Sequence, residues 1–396
     1  MKKKILKTIS LITAPILILV LITSIYLKGI PNTIYTNKDI PVSSMIPIGS
    51  TINKIEDYGN KYEVKLLGLI PVKSLEVQKV KNLEIYPGGN SVGVRVSTQG
   101  VLVVGYSDIV INNVTEESPG KLGGVQLGDI ILKINGEEVE NCKDLVGIIK
   151  DCKECKIKVD LLRHNEKLSR EIELKKEENS DYKLGLWIRD STAGVGTMTF
   201  IDSESKKFGA LGHPITDCDT NEAFLIKKGD LLESSIISLR RGEKGSPGEL
   251  KGVFINENNV SGKIKSNTES GIFGTVENMN IIKSNVKPMK VGFRNEICEG
   301  KASIITTIDE SGPKEYEIEI VKLLEQNTPG PKSMVIKVTD SKLLEKTGGI
   351  VQGMSGSPII QNNKIVGAVT HVLINKPDTG YGIYIEWMLK DAEIIK

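Results

Sequence analysis

Residues 8–27 carry no charge and are mostly Ile and Leu, behind the cluster Lys2-Lys3-Lys4. As a helix such a run spans roughly 30 Å, the hydrocarbon thickness of a bilayer. The pattern predicts a transmembrane anchor over 1–28, with the basic tip cytoplasmic and the remainder exported. A cleaved signal peptide is the alternative, but Thr23-Ser24-Ile25-Tyr26-Leu27-Lys28 lacks a small-residue cleavage site, which favours a retained anchor. Residues 29–60 hold Pro31, Pro41 and Pro47 among many Ser, Thr and Asn, and read as a tether. Two short strand-like runs, 62–67 and 69–77, complete a region 29–85. Residues 86–178 form a compact unit ending in a charged linker, 175–181. Within it Ser118-Pro119 opens a short helix, Gly128-Asp129 turns into a strand at 130–134, and Asn135-Gly136 is a hairpin turn. A helix at 144–150 and a strand at 155–162 come next. Across 180–396, short apolar runs broken by Gly, Asn, Asp and Pro suit antiparallel strands, with one helix at 386–395. The expected fold is mainly β, and its last part suits a large sandwich or a pair of barrels.

Composition agrees with a folded chain: 39% of the 396 residues are apolar and 26% charged. Aromatics are only 5% against 39 glycines, a balance favouring turn-rich β structure. The 52 basic and 50 acidic residues nearly cancel. Five of the basic residues, and no acidic one, lie in 1–28, so the body is mildly acidic. That excludes a global electrostatic case for nucleic-acid binding. Five cysteines form no regular framework, and the lone C-x-x-C, Cys152 and Cys155, lacks a second pair or a nearby histidine for zinc. No metal or cofactor is expected.

The segment 118–139, Ser-Pro-Gly-Lys-Leu-Gly-Gly-Val-Gln-Leu-Gly-Asp-Ile-Ile-Leu-Lys-Ile-Asn-Gly-Glu-Glu-Val, resembles the PDZ family. Upstream, Ser91-Val92-Gly93-Val94 matches that family's loop, whose amides hold a peptide carboxylate while the peptide adds to a sheet edge. Near the end, Gly353-Met354-Ser355-Gly356-Ser357-Pro358 precedes a hairpin through Asn362-Asn363 and resembles the nucleophile loop of chymotrypsin-like serine peptidases, with their double β-barrel. That resemblance makes Ser355 the nucleophile, with Ser357 its rival, and the amides of Gly353 and Ser355 the oxyanion hole. Three histidines can supply the base. His164 lies in a polar turn and His371 on the returning strand, where it forms a cleft wall. His213, in Gly212-His213-Pro214, precedes the serine in the chain order of a two-barrel peptidase and is the expected base. For the acid, Asp217, Asp219, Asp230, Asp309 and Asp340 stand open, with Asp217 too close to His213 to be the usual partner and Asp309 at a plausible strand end.

Taken together, the anchor, the PDZ unit, Gly209-Ala210-Leu211-Gly212-His213-Pro214-Ile215-Thr216-Asp217, the serine loop and Gly367-Ala368-Val369-Thr370-His371-Val372 resemble the stage IV sporulation protein B peptidase family of endospore formers. The resemblance implies a triad of His213, Ser355 and Asp340. It also implies a forespore protease exported between the two forespore membranes, which cuts itself near its N-terminal part. The protease then cuts a membrane-bound regulator of an intramembrane metalloprotease, signalling sigma-factor processing. Its partners would be protein substrates, itself included, a peptide segment at the PDZ unit, and the membrane. The rival reading is a catalytically inactive membrane-anchored PDZ scaffold.

Overall fold

The computed structural model describes residues 11, 13, 14, 17, 32–36, 50–54, 60–66, 70–80 and 83–396, apart from 165, 177–179, 256, 278, 283–285, 325 and 327. The expected anchor lies outside these residues except for Leu11, Thr13, Ala14 and Leu17, which are helical. Among the described residues no helix is long and apolar enough to cross a membrane.

The stretch read as a tether contributes two strands. Thr33–Thr36 pairs in parallel with Ile70–Lys79, and Ser50–Lys54 pairs antiparallel with Lys61–Leu66, giving a four-stranded sheet. Polar Thr, Asn and Ser disguised the pattern. The first strand is nonetheless inward-facing, with Ile34, Tyr35 and Thr36 at 2–4% exposure. Tyr35 stacks on Phe293 at 5.8 Å and donates its hydroxyl to the carbonyl of Lys396 at 2.8 Å. Arg294 donates to the carbonyl of Thr33 at 2.7 Å, while its Nε lies 2.8 Å from the buried carboxylate of Glu386.

The PDZ unit agrees closely with the sequence pattern. Ser118 caps the helix Pro119–Leu122, accepting the amide of Lys121, and Asn141 caps the helix Cys142–Asp151. Asn135 and Gly136 both have positive φ and close the hairpin that pairs Glu137 with Ile134. Asp129 is buried and takes two hydrogen bonds from Arg163, each 2.7 Å. Val101, Val103, Ile131, Leu145, Val159 and Leu184 fill the core. Cys152 and Cys155 are unbridged, and burial raises the Cys152 thiol pKa, which suits a packing role.

The PDZ unit is continuous with the C-terminal part of the chain. Two long strands, Ser91–Tyr106 and Leu186–Ile201, pair with each other from Tyr106–Leu186 to Ser91–Thr197 and run from the PDZ core into that second part. Here the carboxylate-loop assignment of Ser91, Val92, Gly93 and Val94 is overturned. These residues sit in mid-sheet, flanked by Leu186–Ile201 on one side and Ile226–Arg240 on the other. The backbones of Val92, Gly93 and Val94 are paired on both sides and that of Ser91 with Thr197, Val92 and Val94 are buried, and a Cβ on Gly93 would meet Phe254 at 2.6 Å. No peptide carboxylate can reach them.

Beyond the PDZ unit two apolar clusters form. One gathers Val92, Val94, Phe208, Leu231 and Ile272; the other gathers Ile304, Ile336, Ile359, Val369, Ile383 and Trp387. The expected return hairpin is present, Pro358–Gln361 pairing with Lys364–Leu373 around Asn362 and Asn363, both at positive φ. The expected last helix runs Ile385–Asp391.

Candidate active site

The histidine and the serine are carried by separate loops that meet where the two clusters adjoin. The strand Lys207–Ala210 ends in two left-handed residues, Leu211 (φ 70°) and Gly212 (φ 71°), which swing the chain out and deliver His213. A left-handed leucine is sparsely populated backbone, and such conformations gather at functional sites. Side chains hold the segment beyond it. Asn267 accepts from the amide of Ile215 and donates to its carbonyl, both at 2.8 Å. Asp217, buried and ion-paired with Arg189, accepts the amides of Asp219 and Thr220.

His213 Nδ1 lies 2.8 Å from the carbonyl of Pro214. A carbonyl only accepts, so Nδ1 carries the proton and Nε2 keeps its lone pair. That is the tautomer a general base needs. Burial pushes the imidazole pKa below the usual histidine value, and the bond to Pro214 opposes the shift. His371 packs against it, ring centroids 5.0 Å apart, and its own pKa is pushed down to about 4 by burial, with smaller contributions from His213 and Lys332.

The serine loop is strapped to the strand Leu186–Ile201 through its carbonyls. Thr197 donates its hydroxyl to Gly353 O at 2.7 Å and its amide to Ser355 O at 3.1 Å, and Thr199 donates its hydroxyl to Gly356 O at 2.8 Å. With the carbonyls turned to the strand, the amides of Gly353 and Ser355 have no acceptor among the described residues. Two free N–H groups flanking one serine can stabilise an oxyanion. Gly356 lies at φ 97°, where a Cβ would meet Thr197 O at 2.1 Å and Leu211 N at 2.5 Å. This glycine lets the serine loop rest directly on the histidine loop. Gly356→Ala is expected to cost at least ~2 kcal/mol and lower Tm by about 4–8 °C in a thermal melt.

Ser355 and His213 line the same cleft, of about 490 Å³, together with Gly353 and His371. Ser355 Oγ donates to the carbonyl of Thr370 at 2.6 Å. The rival Ser357 is fully buried outside the cleft, with its hydroxyl bonded to Met354 O at 2.6 Å.

The structure does not bring the expected acid to this pair. Asp340 caps the helix Ser341–Thr347, accepting the amide of Leu343 at 2.9 Å, and its other oxygen faces the amide of Glu317 at 3.5 Å. Among the described residues no carboxylate lines the cleft. Asp219 shares Arg189 with Asp217, Asp230 pairs with Arg95 and Lys263, and Asp309 pairs with Lys346. In this arrangement the carbonyl of Pro214 fixes the tautomer that an acid fixes in a triad. Thr197, Thr199 and Thr370 escaped the sequence reading; only the alternation Thr197-Met198-Thr199 hints at two hydroxyls on one strand face.

Comparison with known proteins adds the family. Residues 180–389 match the model of the SpoIVB peptidase S55 family, and residues 110–163 match that of a PDZ domain. No curated protein matches the chain. Among solved structures, the PDZ domain of an SdrC-like protein from Listeria monocytogenes is 17% identical, covering 24% of this chain and 90% of that one, with a TM-score of 0.19. The Rv3671c protease in its inactive form is 12% identical, covering 50% of this chain and 84% of that one, at a TM-score of 0.29. Its active form, from M. tuberculosis, is 13% identical over 51% and 74%, at 0.26. The family match takes in more than half of the sequence, so the chain belongs to the SpoIVB peptidase S55 family and is a serine endopeptidase with a PDZ domain.

Proposed function

We propose that Ser355 is the nucleophile and His213 the general base of a self-cleaving, membrane-tethered peptidase that signals during sporulation. The observation carrying the catalytic part is the meeting of Ser355 with a histidine of the correct tautomer in one cleft. In the reaction Ser355 Oγ leaves Thr370 O and gives its proton to His213 Nε2 as the oxygen attacks the scissile carbonyl. The amides of Gly353 and Ser355 take the developing oxyanion. His213 then returns the proton to the leaving amine, and water repeats the cycle on the acyl-enzyme. The two apolar clusters, with the site at their junction, support a chymotrypsin-like double barrel.

The family and the uncharged run at 8–27 support the rest. The anchor holds the enzyme at a membrane with its body exported into the intermembrane space of the forespore. It cuts its own N-terminal region, yielding released forms, and then a membrane-bound regulator of an intramembrane metalloprotease. The PDZ unit binds a peptide segment of a partner. Mass spectrometry of the whole chain after expression tests this, with wild type shortened in its N-terminal region and Ser355→Ala intact. Equal processing of both sinks the reading.

The acid has its own test. Asn caps a helix as well as Asp does. Asp340→Asn therefore preserves the observed cap while removing the charge, and Asp340→Ala costs about 1 kcal/mol. Activity of Asp340→Asn within a few-fold of wild type is expected if the resting arrangement is the working one. Loss by a factor of about 10⁴ with an unchanged melt restores Asp340 as the acid.

A further inference from the structure

The loop that delivers the proposed base does not rest on the peptidase part alone. Beyond His213 and Pro214 the chain runs from Ile215 to Phe224 and closes on itself. Thr216 bridges Ala223, and the amide of Phe224 donates to the carbonyl of Ile215 at 3.1 Å. Phe224 is 3% exposed and sits in a small apolar cluster with Leu102 and Ile130, joined by Ile215. Leu102 and Ile130 face each other across the strands Ser91–Tyr106 and Ile130–Ile134 of the PDZ sheet. The apolar side of the histidine loop is therefore seated on the PDZ unit.

Arg189 fixes the polar side of that loop. It is paired in register with Leu102, so both side chains leave the same face of the sheet, the face that the loop covers. Its guanidinium pairs with Asp217 and, at 3.1 Å, with Asp219. The Asp217 side chain is fully buried. One of its oxygens takes Arg189. The other accepts the amides of Asp219 and Thr220, both at 3.0 Å, and the hydroxyl of Thr220 at 3.2 Å. A charge at such depth needs a paired and hydrogen-bonded setting, and Arg189 supplies the cation.

We infer that Arg189 is a positioning residue for His213: by holding Asp217 it fixes the histidine loop to the PDZ unit, which thereby completes the active site. The inference rests on the peptidase reading of the cleft. Neither Arg189 nor Asp217 lines that cleft. They act through Pro214, three residues before Asp217, whose carbonyl holds His213 in its tautomer. Loss of the pair frees the loop to shift, and displacing a reacting group by about 1 Å costs on the order of a hundredfold in rate. The rest of the cleft wall stays as it is, so binding there changes little.

The probe is diisopropyl fluorophosphate, which works whatever the natural substrate. Ser355 Oγ attacks phosphorus, His213 takes the proton and fluoride leaves, so the labelling rate of Ser355 reports on the base. Full-length protein in detergent is labelled over a series of probe concentrations, and mass spectrometry gives the maximal rate and the half-saturating concentration. Arg189→Gln is expected to lower the maximal rate roughly ten- to hundredfold, with half-saturation within about twofold of wild type. Arg189→Lys, which restores the charge, is expected to recover most of the rate. Arg189→Gln alone strands a buried carboxylate, so Arg189→Gln with Asp217→Asn is made as well; it should show the same loss with a melt close to wild type. Arg95→Gln is the control. Arg95 pairs with the largely buried Asp230 at 3.0 Å, in the same sheet but outside the histidine loop, and its loss should leave labelling within about twofold. Labelling of the Arg189 variants at the wild-type rate, an equal loss in Arg95→Gln, or a loss confined to half-saturation overturns the positioning role and leaves the peptidase reading intact. Wild-type protein that takes no label at Ser355 overturns the peptidase reading, and the inference with it.

Discussion

Alanine at position 355 is expected to reduce peptide-bond hydrolysis by about 10⁶-fold while leaving the thermal melt nearly unchanged. The reason lies in how little the side chain does for the fold. Its hydroxyl makes a single hydrogen bond, to Thr370 O, in a cleft open to solvent. Ser357→Ala should behave in the opposite way. That hydroxyl is fully buried against Met354 O, and its loss costs about 1 kcal/mol of stability with hydrolysis reduced far less. Initial rates of peptide-bond hydrolysis, beside melting curves of both variants, separate the two serines. Full activity in Ser355→Ala would remove it as nucleophile.

The second large effect is at His213. His213→Ala is expected to cost about as much as loss of the serine, since the two act as a unit. The wild-type pH profile carries further information. Catalysis requires the neutral imidazole, and burial holds its pKa below the usual histidine value, so activity should persist as pH falls through 6.5 and fail only below it. Stability has the same sign. Unfolded histidines bind protons near 6.5, whereas folded His371 resists until about 4 and folded His213 is depressed likewise. The unfolded chain therefore binds more protons across that window, and stability declines as pH falls through it. An acid limb of the rate profile above 6.5 would contradict the buried, neutral base.

The proposed catalytic pair was legible because few residues can carry such chemistry. Only three histidines compete, and a serine between glycines ahead of a hairpin restricts the nucleophile to two positions. Choosing between them needed burial. The PDZ helices and the Asn135-Gly136 turn were legible for another reason: caps and left-handed turns depend on a few adjacent residues. Ser91–Val94 failed on the same ground reversed. The alternation Val92-Gly93-Val94-Arg95-Val96 describes a ligand-binding edge and a doubly paired central strand equally well. What decides is the arrival of Ile226–Arg240, more than a hundred residues away. Asp340 did carry a local signal, since an acidic residue three places before Leu343 is a helix-start pattern. The threonine straps had none, because register between distant strands places them.

The strand Thr33–Thr36 ties the N-terminal region to the far end of the chain. It is parallel-paired to Ile70–Lys79 and pinned by Arg294 on Thr33 O and by Tyr35 on Lys396. A peptide bond broken on the C-terminal side of this strand would therefore leave the two pieces joined by noncovalent contacts until these let go. Separation of the pieces would then be timed by a dissociation rate and not by the hydrolysis itself.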